Sequence, residues 1–158
     1  MTRFAQMVPS PIGFFYAEAS ECGITQVRWL TFPDSLYERT NPALEAFSAA
    51  VEAYFAGEPE TFLCVPLDYT GLTPARMALY ERVRRIPYGT TTSYGALGKE
   101  LLLSARAVGA GMRACPFFPV VPAQRVIHAD GRLGGFMGNE GIKRQLLRLE
   151  GAPFRSPV

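Results

Sequence analysis

The amino-acid sequence predicts an α+β protein, with a small mixed unit over residues 1–71 followed by a largely helical unit over residues 72–158. Three observations carry this. Runs of β-branched and aromatic residues bounded by turn signals fill the first thirty positions. Beyond them, apolar residues recur at helical spacing, each run opened by a capping residue or a proline. The charge also divides near Gly71: residues 1–70 hold three cations against nine acids, a net charge of −6, and residues 71–158 hold thirteen cations against five acids, a net of +8. Eleven of those thirteen cations are arginine, the residue best shaped for phosphate and base edges, so the second unit is expected to face a polyanion.

Ser10-Pro11-Ile12-Gly13 is a turn signal, and the apolar runs that follow, Phe14-Phe15-Tyr16 and Ile24 to Leu30, read as a β-hairpin around Glu21-Cys22-Gly23. Asn41 and Pro42 open a helix whose Leu44, Phe47, Val51, Tyr54 and Phe55 keep helical spacing until Gly57. Phe62 to Leu67 reads as one further strand, and Asp68-Tyr69-Thr70-Gly71 as a linker. Thr73-Pro74 then starts a helix with an inward stripe of Met77, Tyr80, Val83 and Ile86. Thr92 or Ser93 caps a short helix through Glu100, and Ser104 caps another to about Ala114. Two short capped helices joined by a tight turn in a basic region make a helix-turn-helix candidate. The second of them carries Gly109 and Gly111, each costing roughly 1 kcal/mol relative to Ala. Such a cost calls for close approach to something, either a nucleic-acid groove or the next segment of the chain. Arg106 and Arg113, seven residues apart, share one face. A proline-stiffened apolar stretch from Cys115 to Val126 and a glycine-rich loop from Asp130 to Gly138 follow, and Asn139 caps a last helix with Ile142, Leu146 and Leu149 inward.

Other classes are disfavoured. The apolar charge-free stretch Ala114 to Gln124 has eleven residues and three prolines, too short and broken to span a membrane. Met1 to Ser20 lacks the apolar core of a signal peptide, so a cytoplasmic protein is expected. Three cysteines without a C-x-x-C pair and one histidine indicate neither a disulfide framework nor a metal site, and no cofactor is expected. Cys22 and Cys64 read as small buried hydrophobes. The glycine loop has no G-K-[ST], which removes a phosphate-cradling P-loop.

Taken together, Ile86-Pro87-Tyr88-Gly89, Thr92-Ser93-Tyr94-Gly95-Ala96-Leu97, Ala105-Arg106-Ala107-Val108-Gly109, Val121-Pro122-Ala123-Gln124-Arg125-Val126, the Gly131–Gly138 loop and Leu149-Glu150-Gly151 resemble the O6-alkylguanine-DNA alkyltransferases in order and spacing across residues 73–151. Ser10-Pro11-Ile12-Gly13 matches the usual N-terminal domain more weakly. The resemblance implies an N-terminal ribonuclease-H-like α/β subdomain and a C-terminal helical domain with the helix-turn-helix. It also implies a chemistry, transfer of an alkyl group from guanine to the thiolate of a Pro-Cys-His-Arg-Val motif, with the His working through a Glu. Here that motif reads Pro122-Ala123-Gln124-Arg125-Val126. Ala123 has no lone pair to donate and Gln124 cannot act as a base near neutral pH. The family's upstream Asn-Pro reads Cys115-Pro116, and of the relay only Glu150 remains, structurally ordinary without its partners.

The departure is similar to that of the alkyltransferase-like proteins, which lack the cysteine and bind alkylated guanine without repairing it. By that resemblance, the helix-turn-helix enters the minor groove of double-stranded DNA. Arg106 replaces the flipped nucleotide in the stack, Tyr94 presses on the rotating phosphate, and Ser93 and Arg113 contact the backbone. Ala107, Gly109 and Ala110 let the helix sit close to the sugars. Cys115, Pro122, Ala123, Phe136, Met137 and Glu150 line the alkylguanine pocket, while Arg125 ties the active-site segment down. A monomer is implied, with nucleotide excision repair proteins as partners and the acidic first half as one possible docking face. Three other readings stay open: an active alkyltransferase using Cys115, an engineered inactive one, and a transcriptional regulator using its helix-turn-helix in the major groove.

Overall fold

The computed structural model describes residues 3–33, 37–134 and 140–155, and its chain divides into two compact units. One comprises Met1–Gly71 together with Pro116–Val120, the other Leu72–Cys115 and Val121–Val158. The Cys115–Val126 stretch is therefore shared, a correction to a second unit continuous from residue 72. Apolar packing accounts for it. In the first unit Phe117 meets Tyr69 edge-on at 5.6 Å and Phe118 packs against Phe15 at 6.0 Å, while the Val27 N–H donates to the Pro116 carbonyl at 2.7 Å.

The first unit is built on an antiparallel meander of β1 (Phe4–Ser10), β2 (Gly13–Ser20) and β3 (Gly23–Leu30). The expected hairpin is β2–β3. Strand β1 is an addition, obscured in the sequence by Pro9, which an edge strand tolerates because no ladder hydrogen bond is needed from it on the open side. Along β2, Phe15, Ala17 and Ala19 point into the core with period two. Helix α1 (Pro42–Phe55) covers that face through Leu44, Phe47, Val51 and Tyr54, with Phe47 edge-on to Phe15 at 6.3 Å. Its cap is the expected one, the Asn41 side chain accepting from the Leu44 N–H. Phe62–Leu67 is not a strand. Thr61–Cys64 forms a 3-10 turn entered through a left-handed Glu60, and in that segment only Leu67 bridges to β3, at Ile24. Cys22 and Cys64 are both exposed, contrary to the expectation of burial, because each sits in a turn.

The second unit holds α2 (Pro74–Arg84), β4 (Thr92–Ser93), α3 (Tyr94–Leu101), α4 (Ala105–Arg113), β5 (Val126–Ile127) and α5 (Glu140–Glu150). Thr73, Ser93 and Ser104 each accept a backbone N–H as helix caps of α2, α3 and α4. Helix α2 buries Leu79, Tyr80 and Val83, and Met77 lies outside that arc, 38% exposed. Helices α3 and α4 form the helix-turn-helix. An added Cβ on Gly98 would come within 2.4 Å of the Leu103 carbonyl oxygen, so glycine is what lets the turn close onto α3. In α5 the buried arc is Ile142, Lys143, Leu146, Leu147 and Glu150; Leu149 falls just outside it and is 40% exposed, which corrects its inward assignment. The expected cap Asn139 lies outside the described residues. No helix among the described residues is long and apolar enough to cross a membrane.

Candidate functional site

Strands β4 and β5 pair in parallel, Thr92 with Val126 and Ser93 with Ile127. This short ladder sets the start of the helix-turn-helix beside the Pro122–Val126 segment, whose Ala123–Arg125 forms a 3-10 turn. Ala123 is 8% exposed and Gln124 and Arg125 are buried. Their polar ends converge on Glu150 at the end of α5. Gln124 Nε2 donates to Glu150 Oε2 at 2.8 Å, Arg125 Nε donates to Oε1 at 2.8 Å, and the Gly89 N–H reaches Oε1 at 3.3 Å. Arg125 also donates to the Ile86 carbonyl at 2.7 Å. Glu150 is thus no ordinary helix-terminal residue. It joins three separate sequence motifs in a buried ion pair with further hydrogen bonds on both carboxylate oxygens, the condition under which burying charge is tolerated. Arg125 is structural, as expected. Gly89 takes a φ of +82° there, and an added Cβ would come 3.2 Å from the Glu150 carbonyl oxygen.

A second cluster surrounds Tyr94, the first residue of α3. Lys143 Nζ lies 3.5 Å from its hydroxyl and donates to the Val126 carbonyl at 2.7 Å, and His128 packs against its ring at 5.1 Å. Burial raises the Tyr94 pKa, a trend opposed by the nearby Arg113 guanidinium. Burial also pushes Lys143 down from 10.5 to about 8, with Glu140 opposing. Sequence reading missed Lys143. The signal that finds it is its place between Ile142 and Leu146 on the apolar arc of α5.

Helix α4 separates its two glycines. An added Cβ on Gly111 would come within 2.4 Å of Leu79 Cδ2, and the Gly111 carbonyl accepts from the Tyr80 hydroxyl at 2.7 Å, so Gly111 is there for packing on α2. Gly109 would meet only Arg113 Nη1, at 3.4 Å. With Val108 and Gly111 inward, the free face carries Arg106, Gly109 and Arg113, and both arginines are exposed. Ala107 and Ala110 are half-buried beside them. Cys115 follows the end of α4, its backbone N–H on the Met112 carbonyl and its thiol near enough to Tyr80 to raise that hydroxyl's pKa alongside the larger effect of burial. Pro122 is buried next to Ala123. Phe136 and Met137, the remaining expected pocket residues, lie outside the described residues. Among the described residues no group of three or more His, Cys, Asp or Glu could hold a metal.

The sequence description of the 6-O-methylguanine DNA methyltransferase DNA-binding domain matches residues 74–152, and that of the same family's ribonuclease-like domain matches residues 4–69. The chain belongs to the O6-methylguanine-DNA methyltransferase family. Within the family, it is 59% identical over 145 residues to the DNA base-flipping protein of Thermus thermophilus, covering 92% of this chain and 98% of that one. It is 39% identical over 152 residues to the methylated-DNA–protein-cysteine methyltransferase of Mycobacterium tuberculosis, covering 90% and 89%. The crystal structure of the M. tuberculosis O6-methylguanine methyltransferase superposes with a TM-score of 0.80 at 31% identity, covering 99% and 97% of the two chains. The M. tuberculosis protein in complex with DNA gives 0.79 at 33% identity, covering 95% of each.

Proposed function

We propose that this methyltransferase-family protein binds O6-alkylguanine in double-stranded DNA without repairing it. One observation carries the reading: the segment that resembles the family's Pro-Cys-His-Arg-Val motif reads Pro122-Ala123-Gln124-Arg125-Val126 here, and the Gln124 side chain gives its amide to Glu150. Displacement at a saturated carbon needs a nucleophilic lone pair and a base to expose it, and neither side chain has one. The name of the Thermus thermophilus relative supports the same direction.

In this reading α4 enters the minor groove with its Arg106–Gly109–Arg113 face. Arg106 fills the space left in the stack, Tyr94 presses on the rotating phosphate, and Ser93 and Arg113 hold the backbone. Flipping costs a few kcal/mol and less at a lesion that pairs poorly, which supplies part of the selectivity. Pro122, Ala123, Cys115, Phe136, Met137 and Glu150 receive the base, and the single methyl of Ala123 leaves space for larger alkyl groups. A protein that binds and does not repair serves to flag its lesion, and we assign nucleotide excision repair proteins as the partners that read the flag.

Titration of duplexes carrying O6-methylguanine, a larger O6-alkylguanine or plain guanine tests this, read with intact mass spectrometry of the protein. The expected result is preference for both lesions and an unchanged protein mass. A gain of one methyl would overturn the binding-only reading and point to Cys115. Preference for one undamaged sequence would favour a regulator. Arg106→Ala is expected to abolish lesion preference, and retained preference would reject its role in the stack.

A further inference from the structure

The second unit carries an open cleft of about 520 Å³ of which the reading above uses only Ser93. It begins at Ser93 and runs along Thr91, His128, Asp130 and Arg155 over the ring of Phe154. Its walls are fixed by the backbone. The Gly131 N–H donates to the His128 carbonyl at 2.9 Å, the His128 N–H to the Arg132 carbonyl at 2.8 Å, and the Arg155 N–H to the Gly131 carbonyl at 2.7 Å. The floor is equally anchored, because Phe154 packs on the apolar cluster of Ile127, Leu133, Leu147 and Ala152.

The donors in this cleft suit an anion that only accepts hydrogen bonds. Its carboxylate, Asp130, is engaged by the backbone N–H of Arg132 at 3.1 Å and by its guanidinium at 2.7 Å. Arg155 also acts electrostatically on Asp130, and with Arg132 beside the lining the two arginines outweigh that carboxylate. Ser93 Oγ accepts the Ala96 N–H at 3.0 Å as the cap of α3, which uses a lone pair and leaves the hydroxyl proton to donate outward. The cleft is also continuous with the proposed DNA face, since Ser93 belongs to both and His128 packs on Tyr94.

We propose that this cleft holds the sugar–phosphate backbone of the DNA beside the flipped nucleotide, with Arg155 neutralising a phosphate and the Thr91 and Ser93 hydroxyls donating to its oxygens. The proposal rests on the lesion-binding reading above and extends the footprint beyond α4. Phosphate contacts position the protein and carry no base information, so Arg155 contributes to affinity and not to lesion preference.

The test is a salt series of anisotropy titrations on the full chain, with O6-methylguanine and unmodified duplexes, comparing the parent with Arg155→Gln and Arg155→Lys. Loss of one phosphate contact lowers the slope of log affinity against log salt by about 0.9, equivalent to roughly fivefold weaker binding at 0.15 M salt. Arg155→Gln is expected to show that loss equally on both duplexes, and Arg155→Lys to restore most of it. Since Arg155 is exposed and its fixed bond is from the backbone, both variants are expected to melt with the parent. Unchanged slope and affinity in Arg155→Gln would overturn the cleft proposal, as would a loss confined to the lesion duplex. A parent protein without lesion preference would instead overturn the function proposed above, and the slope on unmodified DNA would still read the cleft.

Discussion

At the scale of single residues, the site is held by two buried charged side chains of opposite character. Glu150 has its charge matched by Arg125, and removing one partner of such a pair costs about 3–5 kcal/mol, so it works as a fastening between α5, the 3-10 turn and the Ile86–Gly89 segment. Lys143 is 1% exposed; its amine donates to the Val126 carbonyl and lies by the Tyr94 hydroxyl, and its burial, opposed by Glu140, shifts it toward the neutral amine. A fall from 10.5 to about 8 is worth about 3 kcal/mol. Below pH 8 the amine is protonated in both folded and unfolded chains and the full cost of burying the charge is felt. Between pH 8 and 10.5 the unfolded chain binds more protons, so stability rises with pH. The hydroxyls of the buried Tyr80 and the half-buried Tyr94, whose pKa values are raised by burial, reverse the trend above pH 10. The expected outcome is a Tm that climbs by roughly 5 °C from pH 8 to 10 in the parent, with no such rise in Lys143→Met. Calorimetry across that range checks it, and parallel profiles for the two proteins would remove Lys143 as the source.

At the scale of elements, α4 shows how one helix can serve packing and binding with the same small residue type. A methyl at Gly111 would run into Leu79 on α2, whereas a methyl at Gly109 would meet ordinary contact with Arg113 alone. Gly111→Ala is therefore expected to lower stability by about 1 kcal/mol or more, overpacking outweighing the gain in helix propensity. Gly109→Ala should raise stability by about 1 kcal/mol and yet weaken DNA binding, because the added methyl stands on the face presented to the groove. Denaturant melts paired with DNA titrations read both. Improved stability with unchanged binding in Gly109→Ala would show that this helix does not approach DNA closely. Sequence spacing located α4 and its Ser104 cap because capping chemistry is local, and it placed Arg106 and Arg113 on one face because that follows from helical geometry. It could not tell the two glycines apart, since their difference lies in whether α2 stands opposite.

At the scale of the whole molecule, the division near Gly71 was legible because charge and periodicity both change there. The return of residues 116–120 to the first unit was not, because apolar residues between prolines carry no mark of which core they join. The hub at Glu150 was hidden for a similar reason: its partners lie 25, 26 and 61 residues away, and none of the bonds has a local signature. What the charge division means for function can be tested on the acidic unit. Unit charges on exposed side chains act through contact or through a field that decays over about 8 Å at physiological salt. If DNA is bound by local contacts from Arg106, Arg113 and their neighbours, the acids of the first unit set only the long-range field. Glu52 and Glu58 are exposed near the C-terminal end of α1, where negative charge opposes the helix dipole, so Glu52→Gln with Glu58→Gln removes two acids without loosening the fold. At about 0.15 M salt this pair is expected to leave affinity within about twofold and the salt slope unchanged, and to speed association only when salt is low. Arg113→Gln, by contrast, should lower the slope by about 0.9. A slope change in the acidic pair as large as that of Arg113→Gln would show that the first unit meets the DNA, and the footprint would have to be redrawn to include it.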